Sequence, residues 1–217
     1  MNKNSIADIR KDYIFGESTG LKEEDVSGDP FDQFERWFSE KVSSGDPESN
    51  AMFIATATKD GKPSLRTVLL KNFDSNGFTF YTNYSSRKGK ELEENPFASI
   101  LFFWKESERQ IRIEGIAEKV SRQESDEYFH KRPFESQLAA LCSDQSNVIE
   151  NREVIEKRFT ELKKQYENKT IPLPDDWGGY RLIPDKFEFW QGRQNRMHDR
   201  IAYTKINSEW KIERLAP

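Results

Sequence analysis

Short strand-like runs joined by tight-turn signals constrain the fold of this 217-residue chain more than any other feature. Asp60-Gly61 and Asn76-Gly77 are typical of the two-residue turns that join antiparallel strands. They lie among five runs rich in β-branched and aromatic residues: AMFIATAT (51–58), SLRTVLLKNF (64–73), GFTFYTN (77–83), FASILFFW (97–104) and QIRIEGIAEKV (110–120). The pattern predicts a mainly β fold, an antiparallel barrel or sandwich rather than βαβ units.

The apolar pattern within the runs predicts which faces are buried. The 97–104 run is apolar except for Ser99, which suits a strand buried on both faces. The 110–120 run alternates, so Ile111 and Ile113 face one side and Gln110 the other. Further strands are predicted near the C-terminus, at GYRLIP, KFEFWQG, RIAYTK and EWKIERL, the last two joined by a turn at Asn207-Ser208.

Helical segments flank these strands. Asp29 and Pro30 predict the start of a helix whose apolar stripe is formed by Phe31, Phe34, Trp37 and Phe38. SSRKGKELEENP predicts a short helix that ends before Pro96, and residues from about 122 to 168 predict a helical insert. Residues 1–28 are polar and are expected to form a mobile N-terminal arm, residues 172–179 a linker, and residues 29–217 a single domain.

Composition limits the function classes. The chain carries 34 basic and 38 acidic side chains, so a general attraction to nucleic acid or to a membrane surface is not expected. One cysteine and two histidines make a structural zinc site improbable, and no metal is expected. The single Cys142 fits a reducing compartment, and no apolar run has the length of a signal peptide or a membrane span, so we expect a cytoplasmic protein.

Familiar catalytic motifs do not occur in the sequence. There is no GxGxxG after a strand, no GxxxxGK[ST], no GxSxG and no HExxH. Cys142 lies in the apolar segment LAALCS, which favours a buried, inert thiol over a nucleophile.

Three clusters of polar and cationic residues suit anion binding instead. Arg66 and Lys71 are five residues apart in one predicted strand, so they project from opposite faces, and charged strand ends are the plainer reading. YTNYSSRKGK places hydroxyls and two cations at a strand-to-helix junction, where exposed amides favour an anion, although a solvated helix start fits equally. YFHKRPFESQ offers a third such pocket or an ordinary helix break at Pro133.

The segment WQGRQNRMHDR at 190–200 is the most unusual. Trp190 supplies a flat stacking surface, and Gly192 permits an irregular backbone. Arg196 and His198 are two residues apart and share a face in an extended stretch. Guanidinium groups stack on flat rings and neutralise anions, so the segment indicates an aromatic, anionic ligand.

Taken in order, these segments resemble the pyridoxine (pyridoxamine) 5′-phosphate oxidase family of FMN enzymes. The resemblance runs from IRKDY at 9–13 to ERLAP at 213–217, through stretches that include RTVLLKNFD, FYTNYSSRKGKELEENP, ERQIRIEG, YFHKRP, PLPDDWGGYRL, FEFWQG and NRMHDR. It implies a Greek-key split β-barrel with flanking helices. It also implies a homodimer with FMN at the subunit interface. The chain departs slightly from the family in SQLAALCS and at Arg193-Gln194. Arg193 and Gln194 are left out of the predicted site.

The resemblance also implies residue roles. FMN would be bound by Arg66, Thr67, Val68, Leu69, Leu70, Lys71, Tyr81, Thr82, Arg87, Lys88, Gln110, Gln145, Ser146, Trp190 and Arg200. The substrate phosphate would be held by Lys71, Tyr128, Arg132 and Ser136. Arg196 and His198 would be catalytic and would position the pyridine ring, and Arg10 and Tyr13 would belong to a lid formed by the arm.

The implied reaction is the oxidation of pyridoxine 5′-phosphate or pyridoxamine 5′-phosphate by O2 to pyridoxal 5′-phosphate, with release of H2O2 and, from the amine, of NH3. One alternative is a related split-barrel FMN oxidase, such as those acting on phenazine precursors. Another is a non-catalytic carrier of flavin or vitamin B6 phosphate. An RNA-binding β-barrel is a third alternative, which the net negative charge disfavours.

Overall fold

The computed structural model describes residues 6, 12–14 and 20–217. Five α-helices occur in this part of the chain: α1 (Pro30–Ser43), α2 (Arg87–Glu94), α3 (Arg122–Lys131), α4 (Phe134–Cys142) and α5 (Arg152–Gln165). Its nine strands are β1 (Ala51–Ala57), β2 (Pro63–Leu69), β3 (Asn72–Asp74), β4 (Gly77–Asn83), β5 (Phe97–Trp104), β6 (Arg109–Lys119), β7 (Trp177–Gln191), β8 (Asp199–Ile206) and β9 (Glu209–Arg214). Helices α3, α4 and α5 lie in the segment from about 122 to 168 where helix was expected.

The strands form one sheet in the order β2-β1-β5-β6-β7-β4-β3, with β8 paired to β7 and β9 to β8. The registers of β4 with β7, of β7 with β8 and of β8 with β9 are antiparallel. This arrangement confirms the predicted mainly β, antiparallel fold with flanking helices. Two predictions near the C-terminus were wrong, because GYRLIP and KFEFWQG form the single 15-residue strand β7, which also takes in the end of the predicted linker from Trp177.

Contacts divide the chain into two compact units. The terminal unit comprises Met1–Met52, Ile100–Glu114 and Pro184–Pro217, and the central unit comprises Phe53–Ser99 and Gly115–Ile183. The strands β1, β5, β6 and β7 each contribute residues to both units.

Helix α1 builds the core of the terminal unit from its aromatic stripe. Asp29 caps the helix by accepting a hydrogen bond from the Phe31 N–H at 2.7 Å, as its position predicts. Phe34 and Trp37 are buried and contact the rings of Phe102 and Phe189, with ring centroids 5.1 and 5.4 Å apart. Rings of this size bury a large apolar area each, which offsets the modest aliphatic content of the chain.

The last part of the predicted arm packs on the terminal unit. Leu21 is buried, and its N–H donates to the Asp199 carboxylate at 3.1 Å. Arg214 forms an ion pair with Glu23 at 2.6 Å, and the Tyr203 hydroxyl donates to the carbonyl oxygen of Ser27 at 2.7 Å. These bonds tie residues 21–27 to β8 and β9.

The central unit has its own core beneath the helical insert. Phe129 of α3, Leu138 of α4, Ile171 and Trp177 of β7 form one buried cluster. Cys142 at the end of α4 is 3% exposed, and burial raises the pKa of its thiol. The prediction of a buried cysteine is therefore confirmed.

Strand β5 differs from its prediction. Its side chains alternate between buried and more exposed positions, and Phe97 and Phe103 are 63% and 48% exposed, so the strand is not buried on both faces within this chain. The alternation predicted for the next strand is confirmed, since Ile111 and Ile113 are fully buried. Within the residues described, no helix combines the length and apolar character needed to span a bilayer.

Candidate functional site

A cavity of about 980 Å³ lies within the central unit. Its walls come from β2, β4, the start of α2, α3, α4 and the segment after α4. Among the residues predicted to bind the cofactor, it is lined by Arg66, Thr67, Val68, Leu69, Lys71, Tyr81, Thr82, Arg87, Lys88, Gln145 and Ser146. The four residues predicted to hold the substrate phosphate, Lys71, Tyr128, Arg132 and Ser136, line the same cavity.

Arg66 and Lys71 both reach this cavity, contrary to the prediction that they project from opposite faces. Strand β2 ends at Leu69, so the alternation of side chains does not extend to Lys71. Leu70 lies between them, is 4% exposed and does not line the cavity.

Lys88 is the most enclosed cation of the cavity. It is 8% exposed, and its Nζ donates to Thr82 Oγ1 and Gln145 Oε1, both at 2.9 Å, and to Ser86 Oγ at 3.4 Å. Burial, and then the charge of Arg66, lower the pKa of Lys88 from 10.5 to about 8. The ammonium is therefore held by neutral oxygens, with a like charge nearby.

Arg66 is fixed by acceptors on β1, β2 and α2. Its Nη1 donates to the carbonyl oxygen of Ile54 at 3.2 Å and to Thr56 Oγ1 at 2.6 Å. Its Nη2 lies 3.2 Å from Glu91 Oε2, and Arg87 Nε donates to Glu91 Oε1 at 2.8 Å. One buried carboxylate thus contacts two of the arginines that line the cavity.

The strand-to-helix junction before α2 is held by side-chain caps. Ser86 caps α2 by accepting from the N–H of Gly89 at 3.3 Å. Asn83 accepts from the N–H of Ser85 at 2.7 Å and donates to Asp176 at 2.8 Å. These bonds set where the first turn of α2 begins, and with it the positions of Arg87 and Lys88.

Strand β7 pairs with β4, and its glycines leave space for the stacked rings of Tyr81, Tyr128 and Trp177, which form an aromatic wall. Gly179 is opposite Tyr81 in the register, and a side chain there would press on the Tyr81 ring at 2.9 Å. Tyr81 stacks on Tyr128 with centroids 3.9 Å apart and on Trp177 at 5.5 Å. Burial raises the pKa of Tyr81 to about 12, so its hydroxyl remains protonated near neutral pH.

Arg132 lies against this wall at the end of α3. Its guanidinium carbon is 4.8 Å from the centre of the Trp177 ring, a cation–π contact. Its Nη1 is buried and has no hydrogen-bond partner among the described residues. Pro133 follows, which favours the extended backbone seen at Arg132 (φ −75°, ψ 150°) and turns the side chain out of the helix.

The chemistry of this donor set fits phosphate groups. Burial lowers the pKa values of Lys71, Lys88 and Arg132, with neighbouring positive charges adding to the effect at Lys71 and Lys88. A buried cation and an unsatisfied guanidinium nitrogen are both stabilised by an anion that accepts hydrogen bonds. The residues present therefore suit FMN and a phosphorylated substrate.

The remaining predicted residues that the structure describes lie in the terminal unit. Tyr13, Trp190 and His198 form an aromatic cluster, with centroids 5.6 Å apart for Tyr13–Trp190 and 4.7 Å for Trp190–His198. The Arg193 N–H donates to His198 Nδ1 at 3.1 Å, so the neutral imidazole carries its proton on Nε2. Burial, and then the charge of Arg196, lower the pKa of His198, which favours this neutral form.

Backbone geometry sets Arg196 apart. Asn195 and Arg196 have φ angles of 54° and 61°, in the left-handed region that side-chain-bearing residues seldom adopt. Such conformations cluster at functional sites, where the surrounding structure maintains them. Arg200 donates to Glu188 at 2.9 Å and to the carbonyl oxygen of Ala216 at 2.7 Å.

Two predicted residues remain. Gln110 is half-buried on β6, and Arg10 lies outside the described residues.

Residues that the sequence reasoning missed also line the cavity. Trp177 and Asn83 stand out, together with Ser64, Leu65, Pro133, Ala139, Ala140 and Ser143. Trp177 was assigned to a linker, since its contact with Arg132 joins residues far apart in sequence. Its place in the segment PLPDDWGGYRL was a usable signal, because a tryptophan followed by two glycines suits a close backbone approach.

Comparison with known proteins places this fold in one class, the split-barrel flavin-binding oxidoreductases. A family model described as pyridoxamine 5′-phosphate oxidase matches residues 38–166. A second, described as the pyridoxine 5′-phosphate oxidase C-terminal dimerisation region, matches residues 177–217. The chain belongs to the pyridoxine/pyridoxamine 5′-phosphate oxidase family and is an enzyme of vitamin B6 biosynthesis.

Full-length relatives agree with this assignment. A pyridoxine/pyridoxamine 5′-phosphate oxidase of Nostoc punctiforme is 55% identical over 98% of this chain and 99% of its own. One of Rubrobacter xylanophilus is 49% identical over 99% of this chain and 98% of its own. Among solved structures, PhzG from Burkholderia lata, in complex with tetrahydrophenazine-1-carboxylic acid, matches with a TM-score of 0.86 and 32% identity, covering 91% of this chain and 98% of that one.

Proposed function

We propose that this protein uses FMN and O2 to oxidise pyridoxine 5′-phosphate and pyridoxamine 5′-phosphate to pyridoxal 5′-phosphate. Hydrogen peroxide is released in both cases. With the amine, oxidation gives an imine, which water hydrolyses to the aldehyde and ammonia. The observation that carries the proposal is the cavity of the central unit, where Lys88 and Arg132 are enclosed without an anionic partner among the described residues. Together with Lys71, they offer more positive charge than one phosphate requires.

The FMN phosphate and ribityl chain would be held by the Arg66 side of the cavity, with Thr82, Arg87 and Lys88 as donors. When bound, FMN would supply the redox chemistry, accepting a hydride from the C4′ carbon of the substrate and returning electrons to O2. The protein contributes binding and orientation. The other predicted contacts, at Gln110, Trp190 and Arg200, belong to the same proposal.

The substrate phosphate would be bound by Arg132, Lys71, Tyr128 and Ser136. Arg132 is suited to this role because stacking on Trp177 fixes the plane of its guanidinium while Nη1 keeps a donor available. Burial raises the pKa of the Tyr128 hydroxyl, so it remains a hydrogen-bond donor.

Arg196 and His198 would position the pyridine ring. His198 in its Nε2–H form presents a neutral donor, and the Arg193 N–H keeps the ring in that tautomer. Arg196 would stabilise the bound substrate and charge that develops during the reaction. Tyr13 packs edge-on against both Trp190 and His198, which supports the proposal that residues 1–28, with Arg10, form a lid over bound substrate.

We also propose that the protein is a homodimer whose two FMN sites are completed by both chains. The C-terminal segment matches a dimerisation region. Within the central unit, Leu65, Leu69 and Phe97 are 64%, 42% and 63% exposed, an unusual number of large apolar side chains for strands β2 and β5 to leave in water. Sedimentation equilibrium of the purified protein tests the stoichiometry.

One second candidate deserves the same assay, because the Burkholderia lata protein was solved with a carboxylic acid rather than a phosphate ester. A phosphate-free substrate leaves the Arg132 and Lys71 donors without a function, so we favour the phosphorylated vitamers. Purified protein loaded with FMN should produce pyridoxal 5′-phosphate and peroxide from both vitamers under air. Bound FMN without peroxide would indicate a carrier, and absence of flavin binding would refute both readings.

A further inference from the structure

Glu91 of α2 is a buried carboxylate that does not line the cavity and had no role in the sequence reasoning. Its side chain is 4% exposed. Buried carboxylates are rare unless donors and cations surround them, because losing water strongly disfavours an isolated charge. What surrounds Glu91 therefore indicates what it does.

Four donors from three elements of the central unit converge on this carboxylate. Oε1 accepts from Arg87 Nε at 2.8 Å, within α2. Oε2 accepts from Ser64 Oγ at 2.6 Å and from Thr56 Oγ1, and it lies 3.2 Å from Arg66 Nη2. The carboxylate thus links the first turn of α2 to β1 and β2, the two strands that position Arg66.

The two arginines depend on Glu91 to different degrees. Arg66 has further acceptors in Ile54, Thr56 and Ser64, so it depends less on Glu91. The Arg87 side chain is 62% exposed, and Glu91 is its one hydrogen-bond partner among the described residues. Without the carboxylate, Arg87 becomes an ordinary surface side chain with many rotamers.

We propose that Glu91 is a positioning residue of the cofactor-phosphate site, holding Arg87, and to a smaller extent Arg66, at a fixed spacing before the phosphate binds. The inference rests on the proposed function, since it assumes that these arginines receive the FMN phosphate. Burial alone would raise the pKa of Glu91, but its hydrogen bonds and the charge of Arg66 outweigh burial and lower that pKa to about 2. The carboxylate is therefore charged at every pH at which the enzyme would be assayed.

Two effects of Glu91 oppose each other. Its negative charge repels a phosphate dianion, so removing the carboxylate would strengthen FMN binding if this repulsion were the larger effect. Its hydrogen bonds order two guanidinium groups, so removing the carboxylate would weaken FMN binding if this ordering were the larger effect. The ordering of the arginines should be the larger effect, because the carboxylate is not part of the cavity lining and its charge is already paired with both arginines.

The test compares FMN with riboflavin, which lacks the phosphate, on flavin-free protein by quenching of flavin fluorescence. Glu91→Ala should raise the Kd for FMN about tenfold and change the Kd for riboflavin less than about threefold. Glu91→Gln should fall between Ala and the unchanged protein. Its amide oxygen can still accept from Ser64 and Thr56, but its NH2 group faces the Arg87 donor. Glu94→Ala, at an exposed residue that ends the same helix, is the matched control and should change neither Kd.

Each outcome decides the matter. A Glu91→Ala protein that binds FMN equally or more tightly overturns the proposal, as does an equal loss of FMN and riboflavin affinity, which indicates general damage to the cavity. Should the alanine variant fail to fold, Glu91→Gln is judged by the same FMN-to-riboflavin ratio. An unchanged protein that binds no FMN refutes the proposed function and the role of Glu91 together, whereas FMN binding that ignores Glu91 refutes this role alone.

Discussion

The depressed pKa of Lys88 makes FMN binding depend on pH in a range where an ordinary lysine does not titrate. Burial and the charge of Arg66 lower that pKa to about 8 in the free protein. A bound phosphate dianion favours the protonated amine and raises the pKa again. FMN affinity should therefore fall as pH rises through about 8, because binding must then recover a proton.

The size of the effect follows from the protonated fraction. With a pKa of about 8, Lys88 is about 90% protonated at about pH 7 and about 10% protonated at about pH 9, so the affinity should drop about tenfold. A lysine at the usual value of about 10.4 stays almost fully protonated over this interval. The phosphate itself contributes little, since its second pKa is about 6.

The assay is a titration of flavin-free protein with FMN at several pH values and constant ionic strength. Lys88→Met should bind more weakly at about pH 7 and lose most of the pH dependence, and riboflavin should show little pH dependence with either protein. Lys90→Met is the matched control, because Lys90 is an exposed lysine of the same helix that does not line the cavity, so its loss should leave the slope intact. A constant FMN Kd from about pH 7 to about pH 9, or an unchanged slope in Lys88→Met, would refute the reasoning.

Three further predictions address other parts of the molecule. Trp177→Leu removes the ring beneath Arg132 and should raise the KM for pyridoxine 5′-phosphate about fivefold to tenfold, while Trp177→Phe keeps most of the contact. Gly89→Ala should lower the free energy of unfolding in urea by about 2 kcal/mol, because an added Cβ overlaps the backbone of Tyr84; a helix-typical gain in stability would contradict this. Arg196→Ala should lower kcat about a hundredfold with FMN affinity within about threefold, and equal losses in both would count against its catalytic role.

The fold was readable from the sequence where local signals agree. The helix cap at Asp29 and the alternation of buried and more exposed side chains around Ile111 and Ile113 both appear as expected. Strand β5 was misjudged because an almost continuous apolar run carries no information about which face the rest of the chain covers. Two strands were predicted in place of β7 because a proline such as Pro184 ordinarily interrupts a strand.

The candidate site was likewise only partly predictable from the sequence. Resemblance to the family supplied most of the residues that line the cavity, but not the contacts that hold them in place. Glu91 and Trp177 act on Arg87 and Arg132 through packing and hydrogen bonds, and neither carries a motif of its own. Their supporting roles become visible only when distances are known, although the two glycines that follow Trp177 mark a close backbone approach in the sequence.

The uncompensated charge in the cavity has a consequence for the life of the protein in a cell. A ligand that relieves it stabilises the native state, by about 2.7 kcal/mol when present at about a hundred times its Kd. Nascent chains made during flavin shortage would lack that support and would open more often to proteases. The amount of enzyme should therefore follow the supply of riboflavin even at a constant rate of synthesis, which couples the abundance of one vitamin-derived cofactor to the production of another.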